Sequence, residues 1–315
     1  MYLSYYHLRE EPFRLTPDPK FLQLPEPHRE ALTMLVHGVV DRRGLMLLSG
    51  PIGTGKTTIL NGMLSVLARR NPPKPLPTAL IVNPRLTSDE LLEMLLFEFE
   101  VPSGAISRPA RLAALQRLLF TTFTSGGTCL LVVDEAHLLS KDVLEEIRLL
   151  MNTESYREKL LQVVLCGQPE LTRLLNEPEV KPLRQRIAER AILRALSQSE
   201  MRMYIRERLR IAGFEQPVPF TSSSFDKIYD CTGGVPRLIN IVCDTCLLIG
   251  SESKRTQISD DIVEEAAARH ELTADGVARE DSNGAVKSDK PIELTPLQLF
   301  SDPLQAAKTA GQGEL

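Results

Sequence analysis

Two kinds of apolar pattern alternate along the first part of the chain. Short apolar runs predict strands that are buried on both faces of a sheet. Residues 45–48 and 129–133 are continuously apolar, and residues 161–166 are apolar except for Gln162. Between these runs, apolar residues recur every three or four positions, which predicts amphipathic helices. Because each parallel strand needs a crossover to return the chain, the alternation predicts an α/β fold with a parallel sheet between helical layers.

The predicted elements of this part run up to about residue 195. We expect helices over residues 28–40, 56–70, 88–100, 108–124 and 141–151. We expect strands over residues 44–49, 78–82, 129–133, 161–166 and 191–193. The segment before the first helix is rich in proline and aromatic residues, which predicts turns and loop.

From residue 197 the pattern becomes purely helical. Ser197 and Glu200 have the spacing of a capping box, which predicts a helix that runs to about residue 211. The later helices are expected over residues 222–232, 236–250 and 259–271. The sequence therefore predicts an N-terminal linker and first helix (1–43), an α/β core (44–195), a small all-helical domain (196–272) and a largely disordered tail (273–315).

The composition and charge are typical of a globular protein and exclude few classes of function. Hydrophobic residues make up 43% of the chain and charged residues 25%, with a formal net charge of −4. This charge gives no overall attraction to nucleic acid or anionic membrane, although a local basic patch is compatible with it. No apolar run approaches the roughly 18–20 residues that span a bilayer, and the first residues lack the pattern of a signal peptide. We expect a cytoplasmic protein without an integral membrane segment.

The five cysteines allow a metal or redox reading, which their context disfavours. Cys129 and Cys166 lie in predicted buried strands. Cys243 and Cys246 form a Cys-x-x-Cys pair, with Cys231 nearby, but no second pair or histidine follows at zinc spacing. The pair also lies in an apolar helical pattern, so we expect core packing.

Residues 50–57, with the sequence Gly-Pro-Ile-Gly-Thr-Gly-Lys-Thr, match the Walker A phosphate-binding loop in full. The glycines let backbone N–H groups point at phosphate oxygens, and the following helix adds its positive end. Lys56 would reach the β- and γ-phosphates, and the Thr57 hydroxyl would ligate Mg²⁺. A glycine turn without a ligand is the alternative, but the loop follows an apolar strand and opens a helix. The predicted ligands are ATP and Mg²⁺, bound by Gly50, Pro51, Ile52, Gly53, Thr54, Gly55, Lys56, Thr57 and Thr58.

The apolar run at 129–133 ends in two acids, Asp134 and Glu135. Carboxylates at the carboxyl end of a parallel strand lie in the crevice where such sheets bind ligands. We expect Asp134 to hold Mg²⁺ through water, as a Walker B aspartate does, and Glu135 to polarise the attacking water. A solvated pair of acids is the alternative, which the upstream phosphate-binding loop disfavours. With His137, these acids also spell the DEAH box of certain helicases, but the residues after 195 cannot form a second RecA-like domain of about 150 residues.

Two arginine-containing segments complete the candidate chemistry. Phosphoryl transfer spreads negative charge over the γ-phosphate, which arginines stabilise. Residues 183–190 carry three arginines before the last predicted strand, and Gly233-Gly234-Val235-Pro236-Arg237 fixes an arginine at the start of a helix. For any single arginine, a solvated surface charge is the alternative.

Three sequence segments, taken with these motifs, resemble those of the ExeA/GspA-type AAA+ ATPases (general secretion pathway protein A). They are residues 12–22 (Pro-Phe-Arg-Leu-Thr-Pro-Asp-Pro-Lys-Phe-Leu), 28–32 (His-Arg-Glu-Ala-Leu) and 164–171 (Val-Leu-Cys-Gly-Gln-Pro-Glu-Leu). The resemblance covers residues 1–271 and implies a P-loop NTPase αβα sandwich followed by a small all-α lid.

The resemblance also assigns residues. Gln168 would be sensor 1, although that position is more often asparagine, serine or threonine, and Arg237 would be sensor 2. Arg186, or alternatively Arg184 or Arg190, would be the arginine finger that reaches a neighbour's ATP. Residues 13–28 would wrap the adenine. The predicted catalytic set is Lys56, Glu135, Gln168, Arg186 and Arg237.

The function this implies is hydrolysis of ATP to ADP and phosphate, driving assembly or remodelling of a macromolecular complex. The expected assembly is a homo-oligomeric ring or filament with ATP at subunit interfaces, acting with a protein of a secretion, pilus or export system. The expected location is cytoplasmic, including the inner face of the membrane. Many ExeA-type proteins continue into a transmembrane helix and a periplasmic peptidoglycan-binding domain; the sequence shows neither, so a role in moving secretin subunits is not carried over.

Two other functions stay open at this point. The same core resembles transposition-helper ATPases, which oligomerise on duplex DNA as ATP-dependent regulators. A nucleotide-binding switch that hydrolyses almost nothing is the third reading.

Overall fold

The computed structural model describes residues 2–15, 25–70, 75–82, 84–102, 107–153, 158–215 and 217–272. The predicted disordered tail, residues 273–315, lies outside these ranges.

Five parallel strands form one sheet in the order β2-β3-β4-β1-β5. The strands are β1 (Leu45–Ser49), β2 (Thr78–Ile81), β3 (Cys129–Val133), β4 (Leu161–Gly167) and β5 (Ile187–Ile192). The register aligns Ser49 with Gly167, and Val133 with Leu165. The carboxyl ends of β1, β3 and β4 therefore meet at one edge of the sheet, which is where ligands bind in open α/β sheets.

The helices surround this sheet and continue beyond it. They are α1 (Tyr2–Tyr5), α2 (Glu26–Val40), α3 (Lys56–Arg70), α4 (Ser88–Glu98), α5 (Arg108–Thr124), α6 (Lys141–Leu150), α7 (Pro169–Leu175), α8 (Lys181–Arg184), α9 (Gln198–Ile211), α10 (Ser222–Thr232), α11 (Pro236–Glu252) and α12 (Asp260–Arg269). A 3₁₀ turn over Ala136–Leu138 follows β3, and another over Pro178–Val180 precedes α8.

Alternate side chains of the central strands point into two separate cores. In β1, Leu45 and Leu47 pack with α4, α5 and α6, whereas Met46 and Leu48 pack with α2 and α3 on the opposite face. All residues of β1, β3 and β4 are buried. A strand covered on both faces has no polar side, which explains the continuous apolar runs in the sequence. The predicted αβα sandwich is confirmed.

A third core joins α9 to α12 and also includes the start of the chain. Tyr2, Tyr6, Leu8 and Phe13 are buried in this cluster. The Tyr2 hydroxyl donates to Asp244 Oδ1 at 2.5 Å, in surroundings whose burial raises the pKa of both groups. Residues 2–15 are therefore anchored on the helical part of the molecule, where the sequence predicted only turns and loop. The predicted division into domains stays a prediction.

Two expectations from composition can be compared with the structure. Within the described ranges, no helix is both long and apolar enough to cross a membrane. All five cysteines are free and buried, and in the same ranges no group of three or more histidine, cysteine or acidic side chains could hold a metal. Burial raises the pKa of the Cys231 thiol to about 11 and that of Cys243 well above its ordinary value. The expected core packing of the cysteines is confirmed.

The bounds of the last predicted strand are wrong. The sequence predicted residues 191–193, whereas β5 runs over Ile187–Ile192. Its residues alternate between partly buried and exposed, because β5 is an edge strand with β1 as its neighbour. An edge strand has no continuous apolar run, so the pattern that found the central strands could not find its start.

Candidate nucleotide-binding site

The loop between β1 and α3 curls tightly at the carboxyl edge of the sheet. Gly53 has a φ of +79° and Gly55 a φ of +93°, in the left-handed region that side chains disfavour. A Cβ on Gly53 would also lie 2.9 Å from Val235 Cγ1 and 3.0 Å from Arg237 Cβ. Glycine at this position therefore allows both the curl of the loop and the close approach of α11.

Lys56, the first residue of α3, is buried and turns back into the curl. Its Nζ donates to the carbonyl oxygens of Gly50 and Pro51 at 2.8 and 2.9 Å. The Thr54 hydroxyl donates to the same Pro51 carbonyl at 2.8 Å. The loop thus holds a cation at the amino-terminal end of a helix, where the helix dipole also favours an anion.

Thr57 and Asp134 meet across the cleft. Thr57 Oγ1 donates to Asp134 Oδ2 at 2.9 Å, and the Glu135 amide donates to Asp134 Oδ1 at 2.8 Å. Asp134 is only 4% exposed, so its carboxylate is held in one orientation. One hydroxyl and one carboxylate with little else fit Mg²⁺, which keeps several waters and takes its other oxygens from phosphates. These two residues would hold the ion.

Glu135 borders the same cleft in an unusual backbone conformation. Its φ of +50° lies in the left-handed region, between the end of β3 and the 3₁₀ turn at Ala136–Leu138. Gln168 Nε2 lies 3.5 Å from Glu135 Oε2, and His137 Nδ1 lies 3.3 Å from the same oxygen. The carboxylate is therefore directed by two neighbours, one on its own turn and one at the end of β4.

The other wall of the cleft comes from the start of α11. Gly233, with a φ of +56°, ends α10, and Gly234, with a φ of +75°, turns the chain toward Pro236 in the first turn of α11. The Arg237 amide then donates to the Gly53 carbonyl at 3.2 Å. The Gly-Gly-x-Pro-Arg motif therefore brings a helix start and an arginine directly onto the phosphate-binding loop.

His28 of α2 lines the cleft and contacts the loop, a contact that sequence reasoning missed. Its Nε2 lies 2.7 Å from the Thr54 carbonyl oxygen, which can only accept, so Nε2 carries the ring proton. Burial lowers the pKa of His28, so the ring is neutral at neutral pH. Its buried Nδ1 has no hydrogen-bond partner among the residues the structure describes.

A connected set of polar side chains also lines the cleft. Arg208 Nη1 donates to the Tyr204 hydroxyl at 2.6 Å, and that hydroxyl donates to Asn240 Oδ1 at 2.9 Å. Arg208 Nε also donates to the Pro12 carbonyl at 2.5 Å, which ties the start of the chain to α9. Sequence reasoning missed these residues because arginine and tyrosine in an amphipathic helix carry no local signal of a site.

The cleft enclosed by these elements has a volume of about 300 Å³, at the lower end of the range for ligand pockets. It is lined by Arg14, Leu15, Pro25, His28, Ile52, Gly53, Gly55, Lys56, Thr57, Thr58, Glu135, Tyr204, Arg208, Pro236, Arg237 and Asn240. Part of the segment predicted to wrap the adenine is therefore at the cleft. Phe13 instead lies in the helical core, and residues 16–24 lie outside the described ranges.

Most of the predicted site residues come together at this cleft or touch it. Asp134 contacts Thr57, and Gln168 contacts Glu135, from just outside the lining. The three candidate arginine fingers do not line the cleft of their own chain. Arg184 Nη1 donates to Asn176 Oδ1 at 2.6 Å. Arg190 lies exposed on β5, and Arg186 Nη1 is buried without a hydrogen-bond partner among the described residues. The roles assigned to all these residues stay predictions.

Comparison with known proteins gives matches over most of the described chain. Residues 40–175 match the family model of an AAA domain. The chain is 41% identical over 252 residues to general secretion pathway protein A of Aeromonas hydrophila, an alignment that covers 79% of this chain and 44% of that protein. It is 29% identical over 155 residues to an uncharacterised HTH-type transcriptional regulator of Methanocaldococcus jannaschii, covering 48% of this chain and 37% of the regulator. The chain thus spans less than half the length of the curated relatives it matches.

Solved structures share the fold at low sequence identity. The Aeropyrum pernix ORC2 protein superposes with a TM-score of 0.60 at 17% identity, covering 84% of this chain and 74% of that one. A chain of the Drosophila ORC bound to DNA superposes with a TM-score of 0.64 at 20% identity, covering 86% and 67%. At such identities the likeness concerns the fold alone, and it agrees with the sheet and helices described above.

Proposed function

The chain carries an AAA+ module of the ExeA/GspA type, as its motifs predict, and from this premise we propose that it hydrolyses ATP to ADP and phosphate. One observation carries the proposal. The phosphate-binding loop, the Thr57–Asp134 pair, Glu135 and the start of α11 converge on a single cleft.

The residues of the cleft divide the work of phosphoryl transfer. The loop amides and Lys56 would bind the phosphates, and Thr57 and Asp134 would hold Mg²⁺. When bound, Mg²⁺ neutralises charge on the phosphate oxygens. Glu135 orients a water molecule for attack on the γ-phosphate and draws a proton from it.

Three further side chains would respond to the γ-phosphate. Gln168 is directed at Glu135 from the end of β4, and Arg237 approaches the loop from the lid. Arg186, which like Arg184 and Arg190 does not line the cleft of its own chain, would act on the nucleotide of a neighbouring subunit. An arginine that reaches the γ-phosphate across an interface makes assembly and hydrolysis depend on each other.

The biological role is proposed from the curated relative. The identity to a protein named for the general secretion pathway supports a homo-oligomeric ATPase that drives assembly or remodelling of an export, pilus or envelope complex. Its place of action would be the cytoplasm or the inner face of the membrane, where ATP is supplied. The partner protein would belong to the same apparatus.

Two substitutions test the ATPase proposal. Lys56→Ala removes the cation from the loop, so it should abolish ATP binding at concentrations that saturate the parental protein. Glu135→Gln keeps the shape of the side chain but not its basicity, so it should retain ATP binding while kcat falls by roughly 10²–10⁴-fold. Binding is measured by calorimetry and turnover by phosphate release.

Lys227→Ala is the matched control, because Lys227 lies on the lid in a salt bridge with Glu264, away from the cleft. Turnover by Glu135→Gln at the parental rate would contradict the assignment of the water-orienting residue. Each protein is also assayed with duplex DNA at low and high salt. Salt-sensitive stimulation by DNA would argue against the export role and for a DNA-dependent one.

A further inference from the structure

We infer that His137 is a positioning residue for Glu135, an inference that rests on the proposed water-orienting role of that carboxylate. His137 lies in the 3₁₀ turn that follows Glu135 and is not among the residues that line the cleft. Its side chain contacts Glu135, so it would act on the reaction through that carboxylate.

Two side-chain nitrogens lie close to the same carboxylate oxygen of Glu135. His137 Nδ1 lies 3.3 Å from Glu135 Oε2, and Gln168 Nε2 lies 3.5 Å from it. When both nitrogens donate to Oε2, they fix the rotation of the carboxylate. In the part of the chain that the structure describes, Oε1 has no hydrogen-bond partner, which makes it the oxygen that accepts from water.

The tautomer of His137 decides whether this contact attracts or repels. Nδ1 can donate to Glu135 only if it carries a ring proton. The Gln168 backbone N–H also lies 3.5 Å from Nδ1 and needs an acceptor there. One nitrogen cannot satisfy both, so the Nδ1–H tautomer holds Glu135, whereas the Nε2–H tautomer turns a lone pair toward the carboxylate and pairs with Gln168.

This competition connects the end of β4 to the acid. The 3₁₀ turn lies directly against the end of β4. A Cβ on Gly167 would lie 3.1 Å from the backbone nitrogen of His137, and 3.0 Å from Leu171 Cδ2. The His137 side chain is only 12% exposed, so little water competes for its hydrogen bonds. A shift of Gln168 would therefore change the partner of Nδ1 and with it the orientation of Glu135.

The test compares His137→Ala with His137→Asn in the full chain. Loss of the imidazole should lower kcat by roughly tenfold or more, as loss of general-base orientation does, while the KM for ATP and the affinity for a non-hydrolysable ATP analogue stay unchanged. The asparagine amide places a donor near the position of Nδ1, so His137→Asn should recover most of the kcat. His270→Ala is the control, because His270 pairs with Thr245 Oγ1 at 2.8 Å on the surface and should keep parental kinetics.

A double-mutant cycle separates positioning from a purely structural role. In a Glu135→Gln background, His137→Ala should cause no further loss in the single-turnover rate, because the group that it positions is already changed. Parental kcat in His137→Ala would overturn the inference. An equal loss of kcat in His137→Ala and His137→Asn, accompanied by lower unfolding midpoints in both variants, would also overturn it. The same holds if His137→Ala lowers the single-turnover rate by its full factor in the Glu135→Gln background.

Failure of the inference is distinct from failure of the proposed function. If the parental protein shows no Glu135-dependent ATP hydrolysis, the proposed function itself fails. If that hydrolysis is present and only the His137 variants behave like the parental protein, the inference about His137 fails alone.

Discussion

The buried imidazole of His28 couples the phosphate-binding loop to pH. Its Nε2 donates a hydrogen bond to the Thr54 carbonyl, and burial holds the pKa of His28 below the usual value for histidine of about 6.5. As pH falls below that value, His28 becomes protonated in the unfolded chain but stays neutral in the folded chain. The free energy of unfolding must therefore decrease with falling pH in this range.

We expect His28→Gln to remove this part of the pH dependence. The glutamine amide keeps a donor to the Thr54 carbonyl but does not titrate. Urea unfolding at about pH 7.5 and about pH 5.5 should show a smaller loss of stability in the variant than in the parental protein. His270→Gln, at an exposed histidine, should keep the parental slope. An unchanged slope in His28→Gln would show that His28 is not the titrating group.

Single residues were predictable from the sequence where a motif binds its ligand locally. Lys56, Thr57, Asp134 and Glu135 follow from two short strings whose flanking strands could be read from apolar runs. The contact of His28 with the loop joins residues 26 positions apart in the sequence. Such contacts depend on how helices pack on the sheet, which no local pattern encodes, so the contact of His28 with the loop emerged only from the structure.

At the scale of elements, the turn between α10 and α11 packs against Leu196, at the start of the helical part of the chain. Gly234 has a φ of +75°, and a Cβ there would lie 2.0 Å from the carbonyl oxygen of Leu196. The Leu196 amide donates to the Gly234 carbonyl at 2.8 Å, so the two backbones touch directly. This contact sets the position of the first turn of α11 and hence of Arg237 beside Gly53.

Gly234→Ala should weaken both the lid and the nucleotide site. The added methyl group meets backbone atoms that cannot move independently, and the left-handed conformation adds a strain on the order of 1 kcal/mol or more. We expect a lower melting temperature and weaker binding of ATP. Gly126→Ala is the matched control, because Gly126 has the same φ of +75° in the turn after α5. Equal ATP affinity in the two variants would mean that the turn does not position the site.

The strands whose residues are all buried could be predicted from the sequence more accurately than those whose burial alternates. β1, β3 and β4 are buried on both faces and gave apolar runs, so they were predicted nearly to the residue. β5 alternates between partly buried and exposed residues, and its start was missed. α1 and the docking of Phe13 were also missed, because aromatic residues in a proline-rich segment do not show which distant helices cover them.

At the scale of the whole molecule, three cores hold the cleft between them. Two lie on opposite faces of the sheet, and the third joins the lid to the start of the chain. Arg208 links this third core to the cleft through Tyr204 and to the amino-terminal segment through the Pro12 carbonyl. A nucleotide in the cleft would contact the sheet edge, the lid and the amino-terminal segment together. Binding would therefore restrain all three parts at once, which is what a switch between assembled and free subunits requires.

Substitution of the predicted arginine finger tests whether one subunit completes the ATP site of its neighbour. If Arg186 stabilises the transition state on a neighbour's ATP, Arg186→Ala should lower kcat by about 10³–10⁵-fold without weakening ATP binding, as for other arginine fingers. We expect Lys56→Ala to be inactive for a different reason, because it keeps Arg186 but should bind no nucleotide.

Mixing these two inactive variants provides the decisive measurement. In a mixed assembly, an Arg186→Ala subunit binds ATP and can receive the intact Arg186 of a Lys56→Ala neighbour. Random assortment in a head-to-tail ring or filament would make about a quarter of the sites competent, so ATP hydrolysis should reappear on mixing. Parallel mixtures of Lys56→Ala with Arg184→Ala and with Arg190→Ala show which arginine is supplied across the interface. Since a finger acting within its own chain cannot be restored by a neighbour, absence of recovery in all three mixtures would exclude a shared site and leave each subunit to hydrolyse ATP alone.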